Sequence, residues 1–439
     1  MKIVILGGGA TGMGVAAKVK RNDKNCEVLV IETGNYVSLG ACGLPYYVGK
    51  NFDEPNMLFA RTIEKFNESG IEIIINSKIK LIDLKNKKVV VNNKEITFDK
   101  LVIATGADAI SPNIKGLNTI EHFKLTKFED GLALRNIVEK KNINNILIVG
   151  SGFIGLELAE NLKDLNKNVT MVEIEKDILS NLYDAEISEL IKTTLEKNKI
   201  NLMLNSFVNN FYKKENKVIA NISDKEYEFD LVITATGFKP NTELLLNTGL
   251  NFYKNNAIIV DEFGKTNIED VYAGGDCCAI MNKITNQFCY SPLATVASKQ
   301  AKVIANNICK IESRFNGTIQ SSIIRLFDKA IARCGLTVRE ANDLNIKTKV
   351  SYIKDKDHTH YLKGQSDVHL KLIMNEDTHE LIGAQMFSHK DSILRFYSLA
   401  TMVWSKIKVN EALEQIDLPY SPPFAKSFDI IHIAISKFI

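Results

Sequence analysis

"KIVILGGGATGMG", residues 2–14, decides the fold. An apolar run ends on Gly7, the spacing Gly7-x-Gly9-x-x-Gly12 follows at once, and the helix-forming stretch "GVAAKVKR" (14–21) comes behind it. A second apolar run, "EVLVIE" (27–32), closes the unit on Glu32. Strand, tight turn, helix and a strand ending in an acid is the order of a dinucleotide-binding βαβ unit. Each glycine has its own reason. Gly7 permits the turn, Gly9 lets backbone approach a pyrophosphate, and Gly12 lets helix and strand pack closely. The helix N-terminus offers unpaired N–H groups and a positive dipole end to the phosphates, and Glu32 accepts hydrogen bonds from a ribose.

The pattern recurs. "NILIVGSGFIGLELAENL" (145–162) carries Gly150-x-Gly152-x-x-Gly155, and the strand "VTMVE" (169–173) ends on Glu173. Alternating, hairpin-like segments follow each copy, then a matching phrase: "ITFDKLVIATGA" (96–107) with Thr105-Gly106, and "YEFDLVITATGF" (227–238) with Thr236-Gly237. A lone glycine fingerprint is weak, because turns and helix starts use glycine for steric reasons alone. Two copies, each with flanking strands, a terminal acid and a downstream phrase, argue for two nucleotide sites. In "TNIEDVYAGGDCCAI" (266–280) a short strand brings Asp276 to its end, where a carboxylate accepts a hydrogen bond from a polyol, although Gly-Asp is equally a turn signal. "SPLATVASKQAKVIANNI" (291–308) reads as a helix with Pro292 near its start. From about Ser321 the chain turns to β alternation and then to a helical stretch, with no glycine fingerprint, which predicts a cofactor-free α+β domain suited to dimerisation.

Composition narrows the function classes. The 439 residues are 45% apolar and 24% charged with a formal net charge of +3, which leaves no electrostatic footprint for a nucleic acid. No apolar run is long enough to span a bilayer, and the chain enters a strand at once, so a cytoplasmic protein without a membrane partner is expected. The seven cysteines are odd in number and lack paired spacing, which favours free thiols over a disulfide framework or a metal site. The C-terminal histidines form no ligand set either, and adjacent Cys277 and Cys278 read as packing.

One cysteine stands apart. "VSLGACGLPYYVG" (37–49) sets Cys42 among small residues, ahead of a Gly-Leu-Pro-Tyr-Tyr turn stiffened by Pro45. By itself such a residue is either a small buried hydrophobe or a nucleophile open to a substrate sulfur.

With both fingerprints, both "ATG" phrases, the Gly-Asp motif, the C-terminal domain and "SLGACGLPYY", the whole chain resembles the flavoprotein disulfide reductases with two dinucleotide domains. Within them it resembles the single-cysteine branch of coenzyme A disulfide reductases, NADH oxidases and NADH peroxidases. The resemblance implies an α/β chain of two Rossmann-like domains and an α+β C-terminal dimerisation domain. By that resemblance FAD is expected to bind residues 1–112 and 242–318, through Gly7, Gly9, Gly12, Glu32, Thr105, Gly106 and Asp276. NAD(P)H is expected on residues 113–241, through Gly150, Gly152, Gly155, Glu173 and Gly237, with Phe153 as an aromatic gate and Glu157 as the acid near the flavin. Residues 319–439 are expected to pair two subunits into a homodimer with shared active sites.

Cys42 then falls where the branch places its redox-active sulfur. Val37 stands where a second cysteine would be needed for an internal disulfide, so the other sulfur comes from elsewhere. Oxidases and peroxidases of the branch carry a histidine where this chain has Ala10, which favours a disulfide reductase. The substrate implied is coenzyme A disulfide or a related small disulfide or persulfide, with coenzyme A held on Cys42 as a mixed disulfide. The basic end of the first helix (Lys18, Lys20, Arg21) suits its phosphates, and Lys18, Arg21 and Ser38 match substrate-contact positions of the branch. Tyr361 in "HTHYLKG" and Tyr420 in "LPYSPPF" match tyrosines sent from one subunit toward the cysteine of the other, where a phenol donates to a leaving thiolate. Glu173 would repel a ribose 2′-phosphate, so NADH is favoured over NADPH, with Lys176 nearby as a counterweight. An oxidase or peroxidase cycling Cys42 through a sulfenate, and a low-turnover flavoprotein redox sensor, are the two alternatives.

Overall fold

A computed structural model describes residues 1–439. The chain opens with β1 (Lys2–Leu6), α1 (Ala10–Asn22), β2 (Glu27–Ile31), the short helix α2 (Leu44–Val48), β3 (Ile71–Ile74) and β4 (Lys100–Ile103). A second run follows: β5 (His122–Phe123), α3 (Phe128–Val138), β6 (Asn145–Val149), α4 (Phe153–Asp164), β7 (Asn168–Val172), β8 (Asn201–Met203) and β9 (Leu231–Thr234). The chain then returns through β10 (Val271–Ala273) and α5 (Ala294–Ile308). It ends in the strands β11 (Ser322–Leu326), β12 (Lys329–Gly335), β13 (Thr348–Lys356), β14 (Asp367–Asn375) and β15 (Leu381–His389), with α6 (Phe396–Trp404) and α7 (Ile430–Ser436) among the elements packed on them.

The first two sheets are parallel and share one plan, ordered β10-β4-β1-β2-β3 and β8-β7-β6-β9-β5. Their central strands are apolar without alternation because both faces are covered: Ile3, Val4, Ile5 and Leu6 are fully buried, as are Ile146, Leu147 and Ile148. Each carries an antiparallel three-stranded appendage, at 79–97 and at 208–229, as the hairpin-like segments suggest. The third sheet is antiparallel, ordered β11-β12-β15-β14-β13, and its buried face packs on α6 and α7.

Register decides what this architecture presents. Leu6 pairs with Ile31 and with Ile103, and Ile103 pairs with Ala273, so four parallel strands end level. The residues just beyond those ends are Gly7, Glu32, Thr105 and Asp276. In the second sheet Val149 pairs with Val172 and with Thr234, which sets Gly150, Glu173 and Gly237 along one rim. Open parallel sheets bind ligands outside the carboxyl ends of their strands.

The two parallel units are bolted together beside α2. Arg135 on α3 donates to the carbonyl oxygens of Tyr47 (3.0 Å) and Phe52 (2.7 Å), pairs with Asp53 and Glu139, and lies 4.6 Å over the Tyr47 ring. It is nearly buried; the Phe52 carbonyl has it as its donor, and the Tyr47 carbonyl shares it with the Lys50 amide (3.1 Å). Arg135→Ala is expected to lower stability toward urea by about 2 kcal/mol, because it leaves the Phe52 carbonyl without its donor and removes the guanidinium packed on Tyr47. An unmoved denaturation midpoint would show that water replaces the guanidinium.

Candidate active site

Gly7 has φ +107° and Gly150 has φ +102°, the left-handed turn that lets each chain leave its strand and enter the helix behind it. A Cβ on Gly12 would strike the carbonyl oxygen of Gly7, and one on Gly155 would strike that of Gly150, so both glycines serve close helix packing. Gly9 differs, because a Cβ there would meet nothing within 4 Å. It is the N-cap of α1 and no side chain caps that helix; Gly152 stands in the same way before α4. Each helix therefore aims free amides into open space, the cradle a pyrophosphate requires.

The acids at the strand ends are partly committed to their own loops. Glu32 accepts from the amides of Gly8 (2.6 Å) and Gly34 (2.7 Å). Glu173 accepts from the amide (2.9 Å) and hydroxyl (2.7 Å) of Ser151 and from the amide of Glu175 (3.1 Å). These bonds fix the carboxylates at the rims. Thr105 donates to the Asn241 carbonyl (2.6 Å), tying one "ATG" phrase to the chain's return, and Gly106 beside it faces open space. The Asp276 carboxylate receives no hydrogen bond, although its backbone carbonyl accepts one from the Tyr290 hydroxyl (2.9 Å), and burial pushes the carboxyl above the ordinary range. A half-buried acceptor without a donor at the strand ends is what a ribityl hydroxyl would satisfy, so the residues fit FAD. At the second unit Gly152, Phe153 and Gly237 line a cavity of about 280 Å³ that runs to Tyr290 and Pro292. The helix beyond begins at Ala294, so Pro292 precedes it rather than forming its first turn.

Cys42 lies in a single 3-10 turn, Ala41–Gly43, that runs directly into α2. Pro45 occupies the first turn of that helix, so the expected Gly-Leu-Pro-Tyr-Tyr turn is a helix start, where proline's missing N–H costs nothing. The turn is held from outside: Gly40 donates to Leu58 (2.7 Å), and Ser38 bends with φ +61° while its amide reaches Gly8 (2.8 Å). Cys42 is the exposed member of seven free cysteines. Desolvation, then the charges of Glu157 and Asp276, hold its thiol above the ordinary range. Burial and the two carboxylates thus disfavour the Cys42 thiolate.

Glu157, on α4, accepts a hydrogen bond from the Tyr46 hydroxyl (3.1 Å), and desolvation pushes its carboxyl up to about 7. Behind Tyr46 stands Arg325 of β11, its guanidinium 5.1 Å over the ring and its Nε 2.6 Å from the buried carboxylate of Glu160. Sequence reading missed Tyr46, Arg325 and Glu160. Tyr46 sat within the quoted motif, whereas nothing in the sequence couples it to β11.

The structure brings Tyr361 and Tyr420 together but not to Cys42 of the same chain. Their loops are joined through Thr359, whose amide and hydroxyl both donate to the Pro422 carbonyl. A hydrogen bond with Tyr361 raises the Tyr420 phenol. Both stand out from the surface, at 62% and 46% exposure. Of the basic helix end, Lys20 donates to the carbonyls of Lys24 (2.6 Å) and Cys26 (2.9 Å) in the turn between α1 and β2. Lys18 is half-buried and Arg21 is exposed. No group of three or more His, Cys, Asp or Glu side chains is arranged to hold a metal, and no helix is long and apolar enough to cross a membrane.

Comparison with known proteins agrees with this geometry. The family model described as pyridine nucleotide-disulphide oxidoreductase matches residues 1–301, and its dimerisation-domain counterpart matches 322–430. The chain is 33% identical over 444 residues to an NAD(P)H coenzyme A polysulfide/persulfide reductase of Pyrococcus horikoshii, covering 100% of this chain and 98% of that one. It is 30% identical over 443 residues to an NADH oxidase of Methanocaldococcus jannaschii, covering 99% and 98%. Among solved structures, an NAD-dependent persulfide reductase from A. fulgidus superposes with a TM-score of 0.96 at 32% identity, covering 100% of this chain and 83% of that chain.

Proposed function

Since the chain belongs to the pyridine nucleotide-disulphide oxidoreductases, an FAD-dependent NAD(P)H oxidoreductase family, we propose that it reduces coenzyme A disulfide or related small disulfides and persulfides through Cys42. The observation that carries this reading is the isolation of Cys42: it is exposed, and no second thiol stands beside it. A disulfide at this position therefore needs a sulfur from outside the protein.

Bound FAD would supply the two-electron link between NAD(P)H and sulfur. We assign residues 1–112 with 242–318 to FAD, 113–241 to NAD(P)H and 319–439 to dimerisation. Gly9 and the α1 amides would cradle the FAD pyrophosphate, Asp276 would take a ribityl hydroxyl, and Phe153 and Gly237 would border the nicotinamide pocket. In the disulfide half of the cycle the Cys42 thiolate attacks one sulfur of the substrate and expels a thiolate, which takes up a proton. The resulting mixed disulfide accepts two electrons and one proton, releasing the second thiol and restoring the Cys42 thiolate. The net consumption is one NAD(P)H and one proton per disulfide.

Three finer assignments rest on the same reading. NADH is preferred, because the Glu173 carboxylate is fixed where a 2′-phosphate would arrive while Lys176 leans toward Asp177 (3.8 Å). Arg21, Lys18 and Ser38 contact the substrate. The protein is a homodimer in which Tyr361 and Tyr420 reach the partner's Cys42, a reading supported by their joined, exposed loops.

Intact mass of the purified protein before and after reductant tests the substrate. Loss of a coenzyme A adduct from Cys42, with NADH-driven turnover of coenzyme A disulfide, is expected. A Cys42 oxygen adduct with faster NADH-dependent oxygen or peroxide consumption would instead make the protein an oxidase or peroxidase. Flavin reduction without appreciable turnover of any acceptor would make it a sensor.

A further inference from the structure

The three structural units meet at one side chain. Tyr46 comes from α2, four residues beyond Cys42; Glu157 comes from α4; and Arg325 comes from β11. The Tyr46 hydroxyl donates to Glu157 Oε1 at 3.1 Å, and the Arg325 guanidinium lies over the Tyr46 ring at 5.1 Å while pairing with Glu160 at 2.6 Å. The helices are also locked side by side, since Asn51, just past α2, donates to Asn161 on α4 (2.7 Å), whose amide in turn donates to the Glu157 carbonyl (2.7 Å). These bonds hold together the backbones that carry Tyr46 and Glu157.

We propose that Tyr46 is a positioning residue: its hydroxyl, held under the Arg325 guanidinium, sets the charge carried by Glu157 and so decides how readily the Cys42 sulfur becomes a nucleophile. The inference rests on Cys42 being the reacting sulfur. The groups that face Glu157 are few. Tyr46 on α2 and Arg325 on β11 favour its carboxylate, while burial and Glu160, one turn along α4, oppose it. Cys42 in turn feels Glu157 and, from the end of β10, Asp276, both disfavouring the thiolate. The sign follows. Desolvation opposes the Cys42 thiolate throughout, and once Glu157 ionises, near pH 7, its negative charge opposes the thiolate further. A Glu157 that holds its proton keeps the sulfur available.

The test is the pH dependence of Cys42 alkylation by iodoacetamide, followed by peptide mass in reduced, flavin-loaded protein without NADH. In the parent, the logarithm of the rate should climb with pH, flatten through an inflection near 7 and climb again. Tyr46→Phe removes the bond that favours the carboxylate, so the inflection should move to higher pH. Glu157→Gln should erase it and raise the rate at pH 8.5 by up to about tenfold. A parent profile without inflection, or one unmoved in Tyr46→Phe, overturns the proposal. Should Tyr46→Phe fail to fold, the outcome for Glu157→Gln decides alone. Failure of the underlying reading looks different, since Cys42→Ser would then keep its disulfide turnover whatever the alkylation profile.

Discussion

Cys42→Ser is expected to cut NADH-dependent disulfide reduction by at least about a thousand-fold, while flavin content and the rate of flavin reduction by NADH stay at the parent values. Serine nearly matches cysteine in shape, and the turn that carries it does not depend on the sulfur. Gly43 donates to Gly40 and Gly40 donates to Leu58, both through backbone. What serine cannot do is form a bond to a substrate sulfur and release it again on reduction. The other thiols cannot stand in. Cys26, Cys277, Cys278 and Cys334 are buried, desolvation pushes Cys289 and Cys334 up to about 12, and it raises the half-buried Cys309 as well. Anaerobic stopped-flow absorbance of the flavin, set beside steady-state turnover, separates the two half-reactions. Full-speed reduction by the serine variant would remove Cys42 from the chemistry.

Two alanine substitutions in the first fingerprint should part company completely. Gly12→Ala places a methyl group against the carbonyl oxygen of Gly7, so α1 must lift from β1, and the expected cost is about 3 kcal/mol or more. Gly9→Ala adds a methyl where no atom lies within 4 Å, on a residue at φ −74° and ψ −165° that any amino acid adopts. The flavin-free protein should then be as stable as the parent to within about 0.5 kcal/mol. Its flavin retention should fall by at least about tenfold, because the methyl occupies the approach to the helix amides. Urea denaturation of the stripped protein and flavin retention on a desalting column provide the two readings. Equal flavin retention in Gly9→Ala and the parent would mean the pyrophosphate lies elsewhere.

These contrasts show why the fold was legible in the sequence. Gly7, Gly9 and Gly12 answer steric demands made within a few residues, and Glu32 and Glu173 end strands whose apolar runs are visible by eye. Long-range partnerships were not legible. Tyr46 and Glu157 are 111 positions apart, and Arg325 arrives on a strand whose alternation reveals burial but not the neighbour. The small neighbours of Cys42 left its role open and the resemblance supplied it, while the carboxylates that raise its thiol come from other elements, so its acidity could not be read locally. Pro45 was misjudged for a different reason: proline serves a turn and the first turn of a helix equally well, and only the packing of α2 against its neighbours chooses. Lys20 likewise suited a phosphate in the sequence, yet the carbonyls of Lys24 and Cys26, in the turn after α1, take its ammonium.

The outer strand β10 pairs with β4, yet it lies far along the chain, after the whole second sheet. During synthesis the ribosome therefore delivers every strand of the second sheet while the first still lacks its border strand and Asp276. The inserted unit can close as it emerges, and the surrounding one must wait with an open edge. Any chain cut short before Val271 would leave that edge bare, exposing backbone amides and carbonyls that invite pairing with other nascent chains.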